Sequence, residues 1–181
     1  MIHTLRQRGG FTLIETLVAV SLLVISVAAP MTLAAQSLSS AFYARDQVTA
    51  FHLAQEAIEA IRSVRDGNAL LNAQGVSTDL LAGIPNTTGQ AFTIDTRDND
   101  MELCSGTCQK LRSDGEFYGY GIGGSWQDTR FTRTVRAEFV GGNTDEVKIS
   151  VEVRWQTGKF QERAFTIHEN LYRWVLDGTI I

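Results

Sequence analysis

The feature that most constrains this chain is a run of 29 consecutive residues, 16–44, that contains no Asp, Glu, Lys or Arg. As a helix, such a run is long enough to cross the ~30 Å hydrocarbon layer of a membrane. It therefore indicates a membrane-spanning or export segment. The rest of the 181-residue chain suits one further domain of ordinary size.

The residues around the start of the run decide what kind of segment it is. Arg6 and Arg8 are basic and no acid precedes Glu15, so the start of the chain is expected in the cytoplasm and the remainder outside. A secretory signal peptide cut near Ala35 would share these features. However, the apolar segment at residues 11–35 exceeds the ~7–15 residues of a usual signal core. A carboxylate at position 15 would also cost about 2.5–3.5 kcal/mol in lipid.

The sequence Gly-Phe-Thr-Leu-Ile-Glu from Gly10 to Glu15, followed by the apolar segment, resembles the processing signal of type IV pilins and pseudopilins. The resemblance implies that a prepilin peptidase cuts after Gly10, that the new N-terminal Phe11 is N-methylated, and that Glu15 acts in assembly. A buried carboxylate strongly prefers to pair with a cation, and the freed amine of Phe11 offers one, in the same subunit or in a neighbour. The alternative is that Glu15 lies among lipid headgroups.

The resemblance and the residue patterns divide the chain into four parts. These are a leader at residues 1–10, a transmembrane or filament-core helix at 11–35, an amphipathic helical half at 36–67 and a β-rich head at 68–181. Pro30 is expected to kink or loosen the helix, and Gly67 is expected to end it. The predicted apolar stripe of the amphipathic half is Val48, Phe51, Ala54, Ile58 and Ile61, widened by Leu53, Ala57 and Val64.

Beyond residue 67 the helical period gives way to strand patterns. Residues 146–155 alternate strictly between apolar and polar side chains, which predicts a half-buried strand. The other predicted elements are an irregular connection at 68–90 and strands at 91–96, 117–122, 131–140 and 160–168. Leu171, Trp174 and Val175 are expected to close the edge of the core. The predicted fold class is therefore α+β, a long N-terminal helix packed on a C-terminal antiparallel sheet, and this arrangement resembles the globular head of pilins.

Few residues suggest chemistry. Cys104 and Cys108 enclose three residues and are expected to form a small disulfide outside the cytoplasm; the alternative is two reduced thiols in a surface loop. None of the three histidines belongs to a recognisable catalytic motif. The sequence therefore predicts no enzyme and no cofactor.

Charged residues give one weak metal candidate and exclude one class of partner. Asp98, Asp100 and Glu102 could hold Ca²⁺ through oxygen atoms, but Leu103 stands where an EF-hand loop requires Gly. A solvated acidic loop is the favoured interpretation. With 16 basic and 20 acidic residues and a net charge of −4, nucleic acid is not expected as a partner.

The sequence thus predicts a structural subunit, a minor pilin or pseudopilin, of a type IV pilus or a type II secretion pseudopilus. Its implied partners are the prepilin peptidase, other pilin or pseudopilin subunits, the inner-membrane assembly platform and the membrane. The implied location is the bacterial inner membrane, as a single-pass precursor with a cytoplasmic N-terminus and an external head, and then an extracytoplasmic filament. The alternative is an exported enzyme or binding domain with a signal peptide or a single-helix anchor.

Overall fold

The computed structural model describes residues 10–85, 88–142, 144–157 and 162–173. The chain divides into two compact units, residues 1–43 and residues 44–181. A single helix, α1 (Leu13–Ala73), begins in the first unit and ends in the second. The predictions made for residues 1–9, Phe160, Trp174 and Val175 fall outside the described residues.

In the first unit, the described residues form one helix whose side chains are exposed on every side. The hydroxyls of Thr16, Ser21 and Ser26 each donate to the carbonyl three residues earlier, at 2.8 Å. Their polar atoms are therefore satisfied within the helix, as an apolar environment requires. The helix continues through Pro30, although proline has no N–H to donate to the carbonyl four residues earlier.

The helix ends later than the sequence predicts. It passes through Gly67 to Ala73, so the expected stop at Gly67 is wrong. Glycine inside a helix costs about 1 kcal/mol relative to alanine, but the amide of Asn68 donates to two carbonyls of the following connection, and Asn72 exchanges two hydrogen bonds with Thr78. Gly75, with φ of 86°, then turns the chain at the helix end.

The second unit contains one antiparallel sheet of seven strands. β5 pairs with β6, and β6 pairs with β7. Along its other edge β5 pairs with β3 and with β1, which pair in turn with β4 and β2. The strands are β1 (Phe92–Asp95), β2 (Asp100–Leu103), β3 (Lys110–Ser113), β4 (Tyr118–Gly119), β5 (Gln127–Phe139), β6 (Glu146–Trp155) and β7 (Arg163–Tyr172).

The predicted antiparallel sheet is confirmed, with changes in detail. β6 has the predicted bounds, β5 begins four residues before the predicted start at residue 131, and β7 continues beyond the predicted end at residue 168. β4 is shorter than predicted, and β2 and β3 were not predicted. Because β2 contains Asp100 and Glu102, the expected acidic loop is partly a strand.

The core of the second unit lies between α1 and one face of the sheet. Its sheet side consists of alternate residues of β5 and β6, together with Phe92, Ile94 and Leu111. The predicted helix stripe is largely confirmed, because five of its eight residues are buried, but Val48 is 56% exposed and Phe51 is 39% exposed. The buried helix residues are Asp46, Ala50, Leu53, Ala54, Ala57, Ile58, Ala60 and Ile61.

Candidate processing and assembly site

The predicted cleavage point lies immediately before the helix. Gly10 and Phe11 precede the first helical residue, and Phe11 exposes 81% of its surface. The side-chain oxygen of Thr12 accepts a hydrogen bond from the backbone N–H of Glu15 at 3.3 Å, and the Thr12 carbonyl accepts one from the N–H of Thr16 at 3.1 Å. Thr12 is therefore the N-cap of α1, and the Gly10–Phe11 peptide bond lies two residues outside the capped helix.

Glu15 occupies the first turn of α1 and is exposed. A carboxylate at this position interacts favourably with the partial positive charge of the helix N-terminus, typically by about 0.3–1 kcal/mol. The threonine three residues before it completes the spacing of a capping box. That spacing is visible in the sequence. It gives Glu15 a role at the start of its own helix, in addition to the predicted role in assembly.

The weak calcium candidate lies in a cleft of about 270 Å³ on the second unit. Asp98, Asp100 and Glu102 line this cleft together with Asp95, and we call these four residues the acidic cleft. Among the residues that the structure describes, no group of three or more Asp, Glu, His or Cys side chains is arranged to hold a metal ion. The acidic cleft therefore supplies no metal-binding geometry.

Asp95 is the buried member of the acidic cleft, at 8% exposure. Its two carboxylate oxygens accept hydrogen bonds from Nε and Nη2 of Arg97, at 3.0 and 2.8 Å, and from the backbone N–H of Tyr120, at 3.0 Å. Burial alone would raise the pKa of Asp95, but these donors outweigh it and lower the pKa below its ordinary value. The guanidinium of Arg97 also lies over the ring of Trp126, 4.6 Å from its centroid.

Two glycines allow this arrangement to form. A Cβ atom at Gly119 would come within 2.9 Å of an Asp95 carboxylate oxygen, and one at Gly121 would overlap the ring of Trp126. Gly119 and Gly121 therefore permit the close packing around Asp95 and Trp126.

Cys104 and Cys108 form a disulfide with their Cα atoms 5.0 Å apart. The bond closes the connection from β2 to β3, and the N–H of Cys104 donates to the carbonyl of Ala91 at 2.9 Å. The disulfide thus lies beside the start of β1 and restricts the irregular connection between β2 and β3.

The histidines that the structure describes occupy ordinary positions. His52 lies on α1 with its ring 5.8 Å from that of Phe51. His168 and Ser150 are directly opposed on β7 and β6, and the imidazole Nδ1 is 2.9 Å from the serine hydroxyl. Cross-strand pairing accounts for this contact.

Comparison with protein families gives one match. Residues 5–29 match the prokaryotic N-terminal methylation motif, which includes Gly10, Phe11 and Glu15. No curated protein and no solved structure matches the chain. A long apolar helix followed by an antiparallel sheet gives the pilin-like α+β layout, and the chain carries the N-terminal methylation motif that is the hallmark of type IV pilins and pseudopilins. The predicted resemblance is confirmed.

Two buried charged residues that connect elements of the second unit were not predicted from the sequence. Asp46 is 2% exposed and Arg133 is fully buried. Each is held by a partner distant in sequence, which the sequence does not reveal. For Arg133 there was one signal, because it alternates with Phe131, Val135 and Ala137 and therefore lies on the buried face of β5.

Proposed function

We propose that this chain is a prepilin-processed structural subunit, a minor pilin or pseudopilin, that polymerises through its N-terminal helix into a type IV pilus or a type II secretion pseudopilus. The observation that carries the proposal is the methylation motif at residues 5–29. It coincides with the start of α1, whose most apolar stretch contains no buried residue in the part of the chain that the structure describes.

The first step is processing. A prepilin peptidase hydrolyses the peptide bond between Gly10 and Phe11, which removes the basic leader and leaves a cationic amine on Phe11; this amine is then N-methylated. The exposed position of both residues before the helix cap favours access by an enzyme. The cut leaves Thr12 to Ala73 intact, so the helix and its cap survive processing.

The second step is insertion of the helix into the membrane. The most apolar window of α1 has mean hydropathy 2.3 and none of it is buried, so the helix is long and apolar enough to cross a membrane. Such a precursor would lie in the inner membrane with its head outside, ready for the assembly platform. Leaving this surface in water would cost about 25 cal/mol for each Å² of apolar area.

The third step is assembly through Glu15. When helices leave the lipid and stack, a carboxylate among apolar side chains requires a cationic partner. The Phe11 amine of a neighbouring subunit supplies one, and the pair would fix the stagger between subunits in the way that a buried polar residue fixes register in coiled coils.

The intact mass of the mature protein, isolated from a bacterium with an active prepilin peptidase, tests the proposal. We expect an N-terminus at Phe11 carrying one added methyl group. A mature N-terminus near Gln36 would instead support an exported domain released by signal peptidase. An uncut chain would support a simple anchor, so either result would overturn the proposal.

A further inference from the structure

The helix face that packs on the sheet is rich in small side chains, with Leu53, Ile58 and Ile61 as its large buried residues. Four of its seven buried apolar side chains are alanines, and we call Ala50, Ala54, Ala57 and Ala60 the alanine face. Methyl groups allow helix and sheet to approach closely, but they form shallow ridges with little to interlock. Because apolar contact is not directional, the alanine face alone defines the position of the helix along the sheet poorly.

The first polar tie across this interface starts from the helix. Asp46 is 2% exposed. One of its carboxylate oxygens accepts hydrogen bonds from Nη1 of Arg130 and from the hydroxyl of Thr157, both at 2.8 Å. These donors lie in β5 and just after β6, so one buried charge joins α1 to two neighbouring strands.

A strand irregularity brings Arg130 to this position. Lys110 pairs with Thr132 and Arg112 pairs with Asp128, so three residues of β5 stand opposite the single residue Leu111. Such irregularities change the direction of side chains along a strand. The hydroxyl of Thr129 donates to the carbonyl of Leu111 at 2.6 Å, which stabilises the irregular segment.

The second tie starts from the sheet. Arg133 on β5 has no exposed surface. Its Nη1 donates to the carbonyl of Leu53 in α1 at 3.0 Å, and its Nη2 donates to the carbonyl of Ile94 in β1 at 2.6 Å. Glu56, one turn further along α1, lies 3.6 Å from the same guanidinium and balances its charge.

The two ties follow the same order along the two elements. Asp46 precedes Leu53 by seven residues on the helix, a span of about 10.5 Å at ~1.5 Å per residue. Arg130 precedes Arg133 by three residues on β5, a span of at most about 10 Å at ~3.3 Å per residue, which the irregularity between Asp128 and Thr132 shortens. Both ties are therefore satisfied together at one position of the helix along the sheet, and a shift would leave a buried charge without its partner.

We propose that the Asp46–Arg130 tie and the Arg133–Leu53 tie form a register lock, a built-in device that fixes the helix at one position along the sheet. The alanine face provides apolar contact between helix and sheet, and the register lock fixes the position of the helix along the sheet.

Spin-label distances on the full chain in detergent micelles test the register lock. One nitroxide pair is placed at Val48→Cys and Lys148→Cys, and a second at Ser63→Cys and Lys148→Cys. The native cysteines are joined in a disulfide and do not take the label. A pair at Glu116→Cys and Lys148→Cys reports on the second unit without the helix.

Three variants decide the outcome. The first, Asp46→Asn with Arg130→Gln, removes both charges of one tie and keeps hydrogen-bonding groups. The second adds Arg133→Met and Glu56→Gln, which removes the other tie. The matched control, Arg65→Gln with Asp66→Asn, neutralises an ion pair on the same helix that the lock does not use.

We expect the first variant to broaden the distance distribution from residue 48 and to leave that from residue 63 narrow. We expect the fourfold variant to add a population displaced by several Å, up to the ~5.4 Å of one helical turn. The control variant should give the same distances as the wild type. The distance between residues 116 and 148 should be the same in every variant. Unchanged helix distances in a folded fourfold variant would overturn the proposal, and if that variant does not fold, the first variant decides alone. Loss of folding in the first variant would also contradict the proposal, because the tie would then be required for stability and not for register.

Discussion

At the residue scale, the carboxylate of Asp95 is buried and still charged, because four hydrogen bonds from Arg97 and Tyr120 replace its water. Folding lowers the pKa of Asp95 below its ordinary value of 3.8. A lowered folded pKa means that the unfolded chain binds the proton more readily. The resulting stabilisation is therefore present above about pH 5 and is lost as the pH falls through 3.8 towards the folded pKa.

Replacement of Asp95 tests the direction in which stability changes with pH. Asp95→Asn should lower the free energy of unfolding by about 1–2 kcal/mol at pH 7, since the bonds to a charged acceptor are weakened. The difference from the wild type should shrink as the pH is lowered below about 4. Chemical denaturation at a series of pH values measures both effects, with the exposed Glu102→Gln as the control. A difference that grows on acidification would contradict the assignment.

Gly10 carries the second residue-scale prediction. A peptidase that works next to a membrane must accommodate the backbone at the cut, and a β-branched side chain at Gly10 would obstruct it. Gly10→Val should leave the precursor at full length in cells that contain the peptidase, as the wild type should be in cells that lack it. Intact mass distinguishes the two forms. Efficient cutting after residue 10 in the variant would exclude the proposed processing.

At the element scale, the second half of α1 shows which part of a buried helix face an apolar pattern predicts and which part it misses. Val48 and Phe51 fit the predicted stripe but are exposed, whereas Ala50 and Ala60 are buried. The predicted residues Leu53, Ala54, Ala57, Ile58 and Ile61 are buried. The sequence therefore predicted most of the helix face that packs on the sheet, while the contacts of Ala50 and Ala60 depended on the shape of the partner.

A substitution on the alanine face tests how tightly α1 is packed. Ala57 has no exposed surface, so Ala57→Leu should force the helix away from the sheet and destabilise the second unit by about 1–3 kcal/mol. The exposed Ala44→Leu adds the same side chain on the same helix and should be close to neutral. Thermal unfolding compares the two. Equal melting temperatures would show that the interface is loose.

The strands show a similar division between what the sequence predicted and what it did not. β6 has the predicted bounds because one of its faces is buried along its whole length, which produces strict alternation. β2 is exposed along most of its length and lacks such an alternation of apolar and polar residues. Its pairing with β1 comes from tertiary structure, so the sequence assigned its acidic residues to a loop.

The disulfide between β2 and β3 carries the next prediction at this scale. In freshly isolated protein, Cys104 and Cys108 should resist alkylation until a reductant is added. The loop that the bond closes is very short and restricts little chain entropy, so replacing both cysteines by serine should change the melting temperature only slightly. Rapid labelling of both thiols without reductant would contradict the bond.

At the scale of the whole molecule, the two units use their sequence in different ways. The first unit is readable from sequence because its apolar run is continuous and its N-terminal motif is contiguous in the chain. The second unit depends on contacts between distant residues, such as Asp46 with Thr157 and Arg62 with Glu169. The N-terminal motif was therefore predicted residue by residue, while the buried polar ties were not.

The proposed role of Glu15 belongs to this scale, because it concerns how copies of the molecule combine. Glu15→Gln keeps the size and hydrogen bonding of the side chain and removes its charge, whereas Glu15→Leu also removes the cost of burying a polar group. Both variants should insert and be cleaved normally, since neither changes Gly10 or the apolar helix. Both should enter filaments poorly, because the amine of Phe11 would be left without its partner in the filament core.

The measurement is the fraction of subunit found in sheared filaments relative to the membrane fraction, when the variant is the only copy in the cell. Glu15→Leu separates two explanations, since a leucine satisfies the apolar core but cannot pair with an amine. A loss of at least tenfold in incorporation, which corresponds to about 1.4 kcal/mol per subunit contact, is expected for both variants. If Glu15→Leu assembles as well as the wild type, Glu15 does not fix the stagger and acts only at the start of its own helix, where Thr12 caps it.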